Sequence, residues 1–140
     1  MRYQTNGFSV ETPDDWEDRS IITFVAPSVT GEFATNLVIT REAVDISTSI
    51  EDYAYRQFDI AQQEVAGLQI VSQENTTVGG KPAVEIIQRL AAHGINLQQL
   101  QTFILLPEEV CVITCTATVG NFNQWLPRFR KILDGFQVKT

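Results

Sequence analysis

The sequence predicts an α+β fold, in which a twisted antiparallel β-sheet of about six to eight strands is flanked by two main helices. Two observations lead to this prediction. Strand-like runs in the second half of the chain are separated by connections too short to join parallel strands. The two segments with helical periodicity stand apart from that run of strands, an order typical of α+β proteins. A length of 140 residues suits a single domain spanning residues 1–140.

The first part of the chain favours short strands. Residues Tyr3–Glu11 contain Asn6-Gly7, a dipeptide typical of tight hairpin turns. Two further strands are predicted over about Arg19–Ala26 and Asn36–Glu42, because both segments are rich in β-branched and aromatic residues.

The second half favours an antiparallel meander of four longer strands. Their predicted ranges are about Leu68–Val78, Pro82–Ala91, Ile95–Leu106 and Val110–Thr118. The turns between them are Gly79-Gly80, His93-Gly94 and Pro107–Glu109. Connections of this length keep successive strands antiparallel and adjacent.

The first amphipathic helix is predicted over about Ser49–Ala66. Thr48 or Ser49 caps its start, and Gly67 ends it. Its buried stripe, read from the helical spacing, consists of Ile50, Ala54, Phe58, Ala61 and Val65.

The second helix is predicted over about Asn121–Asp134. Asn121 is its expected cap, Gly135 ends it, and residues Phe136–Val138 add a short final strand. Its apolar stripe consists of Phe122, Trp125, Phe129, Ile132 and Leu133. The basic residues Arg128, Arg130 and Lys131 flank this stripe and are interpreted as a solvated face, with a partner site as the alternative.

The charge balance excludes several classes of partner. Ten basic against 17 acidic residues give a formal net charge of −7. We therefore expect no nucleic acid and no anionic lipid surface as a partner, since both are bound by clustered cations. Apolar runs such as Phe103–Leu106 are far shorter than the ~20 residues of a membrane span, so we expect no direct membrane insertion. Residues Met1–Val10 lack an export signal, which predicts a cytoplasmic location.

Few residues suit catalysis. The one histidine, His93, falls in a predicted turn, and no nucleophile elbow or phosphate loop accompanies it. Cys111 and Cys115 lie four residues apart on one strand, about 13 Å between Cα atoms, which is too far for a disulfide. We interpret both cysteines as small buried apolar side chains. The sequence therefore predicts neither enzyme activity nor a cofactor.

Acidic residues crowd around a single tryptophan. Asp14, Asp15, Glu17 and Asp18 surround Trp16. Carboxylates in loops bind Ca²⁺, but this spacing does not match a calcium-binding loop. We interpret the segment as a solvated acidic turn with Trp16 tucked into the core, and a cation site is the alternative.

Two strands have faces that a plain core does not explain. Alternation places Gln99 and Gln101 on the same side of their strand as Leu97 and Phe103. A half-apolar face with amides suits either solvent or hydrogen bonding to a bound segment. Residues Ile21–Val25 are apolar at nearly every position, so both faces of that strand need cover. Helices cover one face, and the other needs a loop, a second copy or a ligand.

Three motifs spread along the chain resemble one family. Asn6–Ser20 resembles the opening motif of the DcrB-like proteins, Asn36–Glu42 resembles their NLVVTRE strand, and Thr76–Ala83 resembles their TTxGGxPA hairpin. The family's fold is that of the PsbP-like domains, a twisted antiparallel sheet flanked by helices. Within the family, the chain is most similar to the Eag-type chaperones of bacterial type VI secretion.

The resemblance implies a function. Such chaperones are homodimers that bind apolar transmembrane segments near the N-terminus of a secreted effector with a PAAR domain, and shield them in the cytoplasm before loading. By alignment, Ile22, Phe24 and Val38 match apolar positions of the face that binds this client. Gln57 and Gln101 match its polar contacts, and a one-residue offset would put Phe58 in place of Gln57.

Strand parity allows three further residues on the same face, namely Thr40, Gln99 and Phe103. A plain core role remains the alternative for Ile22 and Phe24. Two other classes of protein stay open. One is an accessory domain of the same fold, of envelope or photosystem type, that binds a protein or a metal. The other is a small hydrolase or ligand-binding domain with a pocket lined by His93 or paired carboxylates.

Overall fold

The computed structural model describes residues 1–139. Its strands are β1 Arg2–Gln4, β2 Ser9–Glu11, β3 Ile22–Val25, β4 Asn36–Ala43, β5 Gln69–Val78, β6 Lys81–Ala92, β7 Ile95–Leu105 and β8 Glu109–Thr118. Its helices are α1 Ile50–Glu64, between β4 and β5, and α2 Phe122–Asp134, after β8. These elements confirm the predicted α+β class and the positions of both helices.

The strands form two antiparallel sheets. β1 and β2 pair as a separate hairpin, with Tyr3 opposite Val10. The other six form one sheet in the order β3-β4-β8-β7-β6-β5. The predicted meander is therefore correct, while the position of β8 between β4 and β7 is a tertiary feature that local turns do not specify.

Each helix covers one face of the six-stranded sheet, and we name the faces after them. On the α2 face, apolar side chains of the sheet pack under Phe122, Phe129 and Leu133; they include Leu37, Leu100, Ile104, Cys111, Ile113 and Cys115. On the α1 face, Val84, Ile86, Phe103 and Val110 pack under Ile50, Tyr53, Ala54 and Phe58. The prediction that both cysteines are free and buried on one face is confirmed.

Helix α1 begins and ends as its sequence predicts. The Ser49 hydroxyl accepts a hydrogen bond from the backbone N–H of Asp52 at 3.1 Å. Gly67 adopts a positive φ of 78°, which a residue with a side chain rarely adopts, just beyond the helix. In the predicted stripe, Ala61 and Val65 are only half-buried, because the C-terminal turns of α1 extend beyond the part of the sheet that the helix covers.

The structure differs from the prediction at three places. Asn121 precedes α2 but its side chain makes no capping bond within residues 1–139, because its backbone is already helical. Residues 136–138 are not a strand; instead Phe136 packs against the core, and its carbonyl oxygen lies 3.0 Å from where a Cβ on Gly79 would be. Trp16 is 65% exposed rather than tucked into the core.

Candidate functional site

Amide and hydroxyl side chains form a hydrogen-bonded ladder across the α1 face. Gln88 donates from Nε2 to Gln99 Oε1 at 2.7 Å, and Gln99 donates in turn to the Thr116 hydroxyl at 3.1 Å. One row along, Gln101 donates to the Thr114 hydroxyl at 3.2 Å. These five residues, which we call the glutamine ladder, belong to β6, β7 and β8 and lie in register. The prediction that Gln99 and Gln101 share a side is confirmed.

Each row of the ladder reaches one apolar side chain toward the edge of the sheet. Thr114 pairs with Val38 of β4, and Thr116 pairs with Asn36, which in turn pairs with Val25 of β3. Val25 is 62% exposed and Val38 is half-buried. This part of the α1 face, beyond the cover of α1, therefore carries both apolar surface and oriented polar groups.

Helix α1 forms a wall beside this surface. Tyr53 donates from its hydroxyl to Glu42 Oε2 at 2.6 Å, which ties that flank of the helix to β4. Burial, and then the bond to Glu42, raises the pKa of Tyr53, so its hydroxyl stays protonated. Gln57 is half-buried one turn further along the same flank. It therefore lies on the flank of α1 that faces β4.

A cleft of about 540 Å³ opens between α1, β4 and the segment before β3. Thr40, Tyr53 and Val112 line it from the α1 face, and Ile21 lines it from the opposite wall. Thr40 thus lies two residues beyond Val38 on the same side of β4 and lines this cleft.

The structure does not bring all the sequence-predicted site residues together. Val38, Thr40, Gln99 and Gln101 share the α1 face, and Gln57 lies half-buried on the flank of α1 that bears Tyr53. Ile22 and Phe24 lie on the opposite face instead. The reason is register: Ile22 pairs with Ile39 and Phe24 with Leu37, the sequence neighbours of Val38.

Phe103 has the predicted parity but is not part of an accessible surface. It is 2% exposed and lies under α1, with its ring centroid 6.0 Å from those of both Tyr53 and Phe58. These tilted contacts are favourable aromatic geometry. Phe103 therefore packs α1 against the sheet in this structure, and its contact with a client remains a prediction.

Sequence reasoning missed the ladder partners Gln88, Thr114 and Thr116. Gln88 and Thr116 are buried, and each orients a half-buried glutamine of β7. The alternation of Thr114 and Thr116 with buried Ile113 and Cys115 signals a polar side of β8. Only the strand order, which places β8 beside β7, shows that these threonines lie next to the glutamines of β7.

Strand β3 is uncovered on both sides. All four of its residues are exposed, including Ile22 at 39% and Phe24 at 64%. The expectation that a helix covers one face of this strand is wrong, because α2 reaches only its margin. β3 is also an edge strand, so its outer backbone groups are available for pairing.

An ion pair holds the segment before β3 on the sheet. Arg41 Nη2 lies 2.6 Å from Asp18 Oδ2, and Asp18 Oδ1 accepts the Ser20 backbone N–H at 2.9 Å. The Ser20 hydrogen bond, and then Arg41, lower the pKa of Asp18 to about 2. The Asp18 carboxylate therefore has a structural role in its ion pair with Arg41. Glu17 Oε2 lies 2.9 Å from Arg19 Nη2.

The remaining reactive side chains are poorly placed for chemistry. Burial raises the pKa of the Cys111 thiol to about 11 and that of Cys115 to about 12, so both are protonated at neutral pH. His93 is exposed in the β6–β7 turn at a φ of 52°. Within residues 1–139, no group of three or more His, Cys, Asp or Glu residues is arranged to hold a metal ion. Neither helix is long and apolar enough to cross a membrane.

The architecture is that of the PsbP-like proteins. The chain superposes on the solution structure of cyanobacterial PsbP from Synechocystis with a TM-score of 0.60 at 13% identity, covering 99% of this chain and 92% of that one. LpqN, a protein involved in cell envelope biogenesis of Mycobacterium tuberculosis, gives 0.60 at 14% identity over 90% of this chain and 79% of its own. At these identities the likeness shows the fold alone.

The chain belongs to the DcrB family, whose model matches residues 8–139. It is 25% identical over 131 residues to Effector EagT6 of Pseudomonas aeruginosa, an alignment that covers 94% of this chain and 91% of that protein. It also superposes on the crystal structure of PA94, a protein of unknown function from Pseudomonas aeruginosa, with a TM-score of 0.87 at 24% identity. That superposition covers 100% of this chain and 97% of PA94.

Proposed function

We propose that the protein is a non-catalytic chaperone that binds and shields apolar N-terminal segments of a secreted effector. In this proposal the effector is a type VI secretion effector with a PAAR domain, the bound segments are its transmembrane helices, and the chaperone acts in the cytoplasm as a homodimer. The similarity to Effector EagT6 over nearly the whole chain supports the role.

The observation that carries the proposal is the composition of the uncovered α1 face. The exposed side chain of Val25 and the half-buried side chain of Val38 lie beside the glutamine ladder. A membrane helix in water exposes a large apolar surface, and covering it is worth roughly 25 cal/mol per Å². Membrane helices also carry small polar residues that seek hydrogen bonds. A surface that offers both apolar contact and hydrogen-bonding side chains therefore suits a membrane helix as its client.

Hydrogen bonds within the glutamine ladder orient the amides of Gln99 and Gln101 before a client binds. Gln99 both accepts from Gln88 and donates to Thr116, so its amide is held in one orientation. Gln101 donates to Thr114, and its carbonyl oxygen has no partner within residues 1–139. That oxygen is free to accept a hydrogen bond from a hydroxyl or amide of a bound helix. Val38, Thr40, Gln57, Gln99 and Gln101 form the proposed site, whereas Ile22 and Phe24 lie on the opposite face of the sheet and outside it.

Co-expression with a synthetic two-helix apolar segment tests the proposal. We expect a soluble complex by size-exclusion chromatography with light scattering, and loss of that complex in a Val38→Asp variant that keeps the native circular dichroism spectrum. The matched control is Val71→Asp, which places the same charge at an exposed valine of the opposite edge strand, β5. Equal complex formation by both variants would refute the assignment of the site, and an insoluble segment with the unaltered protein would refute the function.

A further inference from the structure

A second apolar surface lies on the other side of the molecule, between the edge strand β3 and helix α2. It is a groove of about 200 Å³. The sheet contributes Phe24, Val25 and Leu37 to its lining, and the helix contributes Trp125, Phe129 and Ile132. Phe24 is 64% exposed and Ile132 is 48% exposed, so the groove is open to solvent on both its strand side and its helix side. Phe24 and Leu37 place it on the α2 face, while Val25, at the end of β3, also borders the uncovered part of the α1 face.

The open rim of this groove is basic. The Arg128 guanidinium carbon lies 4.8 Å from the centroid of the Trp125 ring, and Lys131 follows one turn later on the outer side of α2. Arg130 points the opposite way, where it pairs with Glu85 of β6. The rim is therefore positive in a chain whose formal net charge is −7.

The N-terminal arm, residues 1–21, has the complementary character. It exposes large apolar side chains, among them Phe8, Val10 and Trp16. Its first 19 residues carry five acidic and two basic side chains. Asp14 and Asp15 stand next to Trp16 on the exposed turn. An aromatic residue flanked by carboxylates matches an apolar groove rimmed by cations.

We propose that this groove binds the acidic turn around Trp16 of a second copy of the chain. Two grooves facing each other would bring Arg128 against Arg128, which like-charge repulsion disfavours. A reciprocal exchange, with each arm on the other copy's groove, pairs opposite charges twice and covers Trp16 and Phe24 together. This inference rests on the homodimer part of the proposed function and gives it a surface.

The backbone geometry of β3 permits this exchange. Paired across a two-fold axis, the outer edges of two β3 strands run antiparallel, so the start of one lies beside the end of the other. The arm leads into the start at Ile22, and the groove is lined by the end, at Phe24 and Val25. Residues Ile22–Val25 contain no charge and no proline that would block such pairing. The α1 face stays open for a client.

Charge reversal with rescue tests the exchange in the full chain and without any client. We expect a dimer by sedimentation and light scattering, weakened at least about tenfold by Arg128→Glu with Lys131→Glu, since two exposed ion pairs are lost at each of the two grooves. Adding Asp14→Lys and Asp15→Lys to the same chain restores the dimer. The control, Arg56→Glu with Lys139→Glu, makes the same change in net charge at exposed sites away from the groove and leaves the dimer unchanged.

Directed crosslinking provides a readout that does not depend on affinity. A chain with Asp15→Cys is mixed with a chain carrying Lys131→Cys and oxidised, while the buried Cys111 and Cys115 stay protonated and unreactive. We expect a disulfide-linked dimer of the two different chains. A monomer at all concentrations, a dimer indifferent to both charge sets, or a dimer without this crosslink would overturn the exchange. A monomer would also refute the homodimer part of the proposed function, whereas the co-expression test of client binding does not depend on any of these results.

Discussion

Replacing Thr102 by valine is expected to stabilise the protein. Thr102 lies in the middle of β7 on the α2 face, opposite Glu85 and Ile113, and is fully buried. Its hydroxyl has no hydrogen-bond partner within residues 1–139. Valine has nearly the same shape and removes the polar atom, so the change relieves a desolvation penalty without leaving a cavity.

The magnitude follows from the cost of an unsatisfied buried hydroxyl, about 1–3 kcal/mol. Allowing for small packing adjustments, we expect a gain of about 1 kcal/mol in the free energy of unfolding. In a domain of this size that corresponds to a rise in Tm of roughly 3 °C. Urea denaturation at pH 7, followed by circular dichroism, measures it directly.

Thr116→Val is the matched comparison in the neighbouring strand. Thr116 is also buried, but its hydroxyl accepts a hydrogen bond from Gln99. The same substitution there strands the Gln99 amide and is expected to cost about 1 kcal/mol. The reasoning is refuted if Thr102→Val destabilises the protein, or if the two substitutions shift the free energy of unfolding in the same direction by the same amount.

Two further predictions separate structural from binding roles. Phe103→Leu is expected to lower the free energy of unfolding by about 1–2 kcal/mol, because the contacts under α1 are lost, yet to keep binding of the two-helix segment. Gln101→Leu is expected to weaken binding of that segment and to leave the free energy of unfolding nearly unchanged. Identical effects of the two substitutions in both assays would contradict the assignment. Asp18→Asn is expected to cost about 1 kcal/mol at pH 7 after allowance for solvent screening of its partly exposed ion pair. Because the pKa of Asp18 is lowered to about 2, its contribution is present above about pH 4 and is lost as the pH falls through 2, so the difference from the unaltered protein should vanish in acid denaturation near pH 2.

Local sequence signals predicted most of the elements because their causes are local. Asn6-Gly7 sets the β1–β2 hairpin, and Gly79-Gly80 sets the turn between β5 and β6. Ser49 starts α1 through its own hydroxyl. The predictions fail where a long-range contact decides, as at Phe136, which packs against the core instead of extending the sheet.

The candidate site shows the same division. Alternation along β7 sufficed to place Gln99 and Gln101 on one side, since successive side chains of a strand point to opposite faces. It did not reveal Thr114 and Thr116 as their partners. That pairing depends on β8 lying between β4 and β7, which is a property of the assembled sheet.

The sequence by itself determined the α+β class, the helices, the hairpins and the sidedness of each strand, because propensity, capping and periodicity act over a few residues. The tertiary structure alone decided which sides meet. A register that pairs Ile22 with Ile39 puts Ile22 on the face opposite Val38, and the docking of α1 removes Phe103 from any accessible surface. The apolar strand β3 has no cover because the helices pack elsewhere on the sheet. Strand order and helix docking are set by contacts between residues far apart in the chain, which local patterns do not encode.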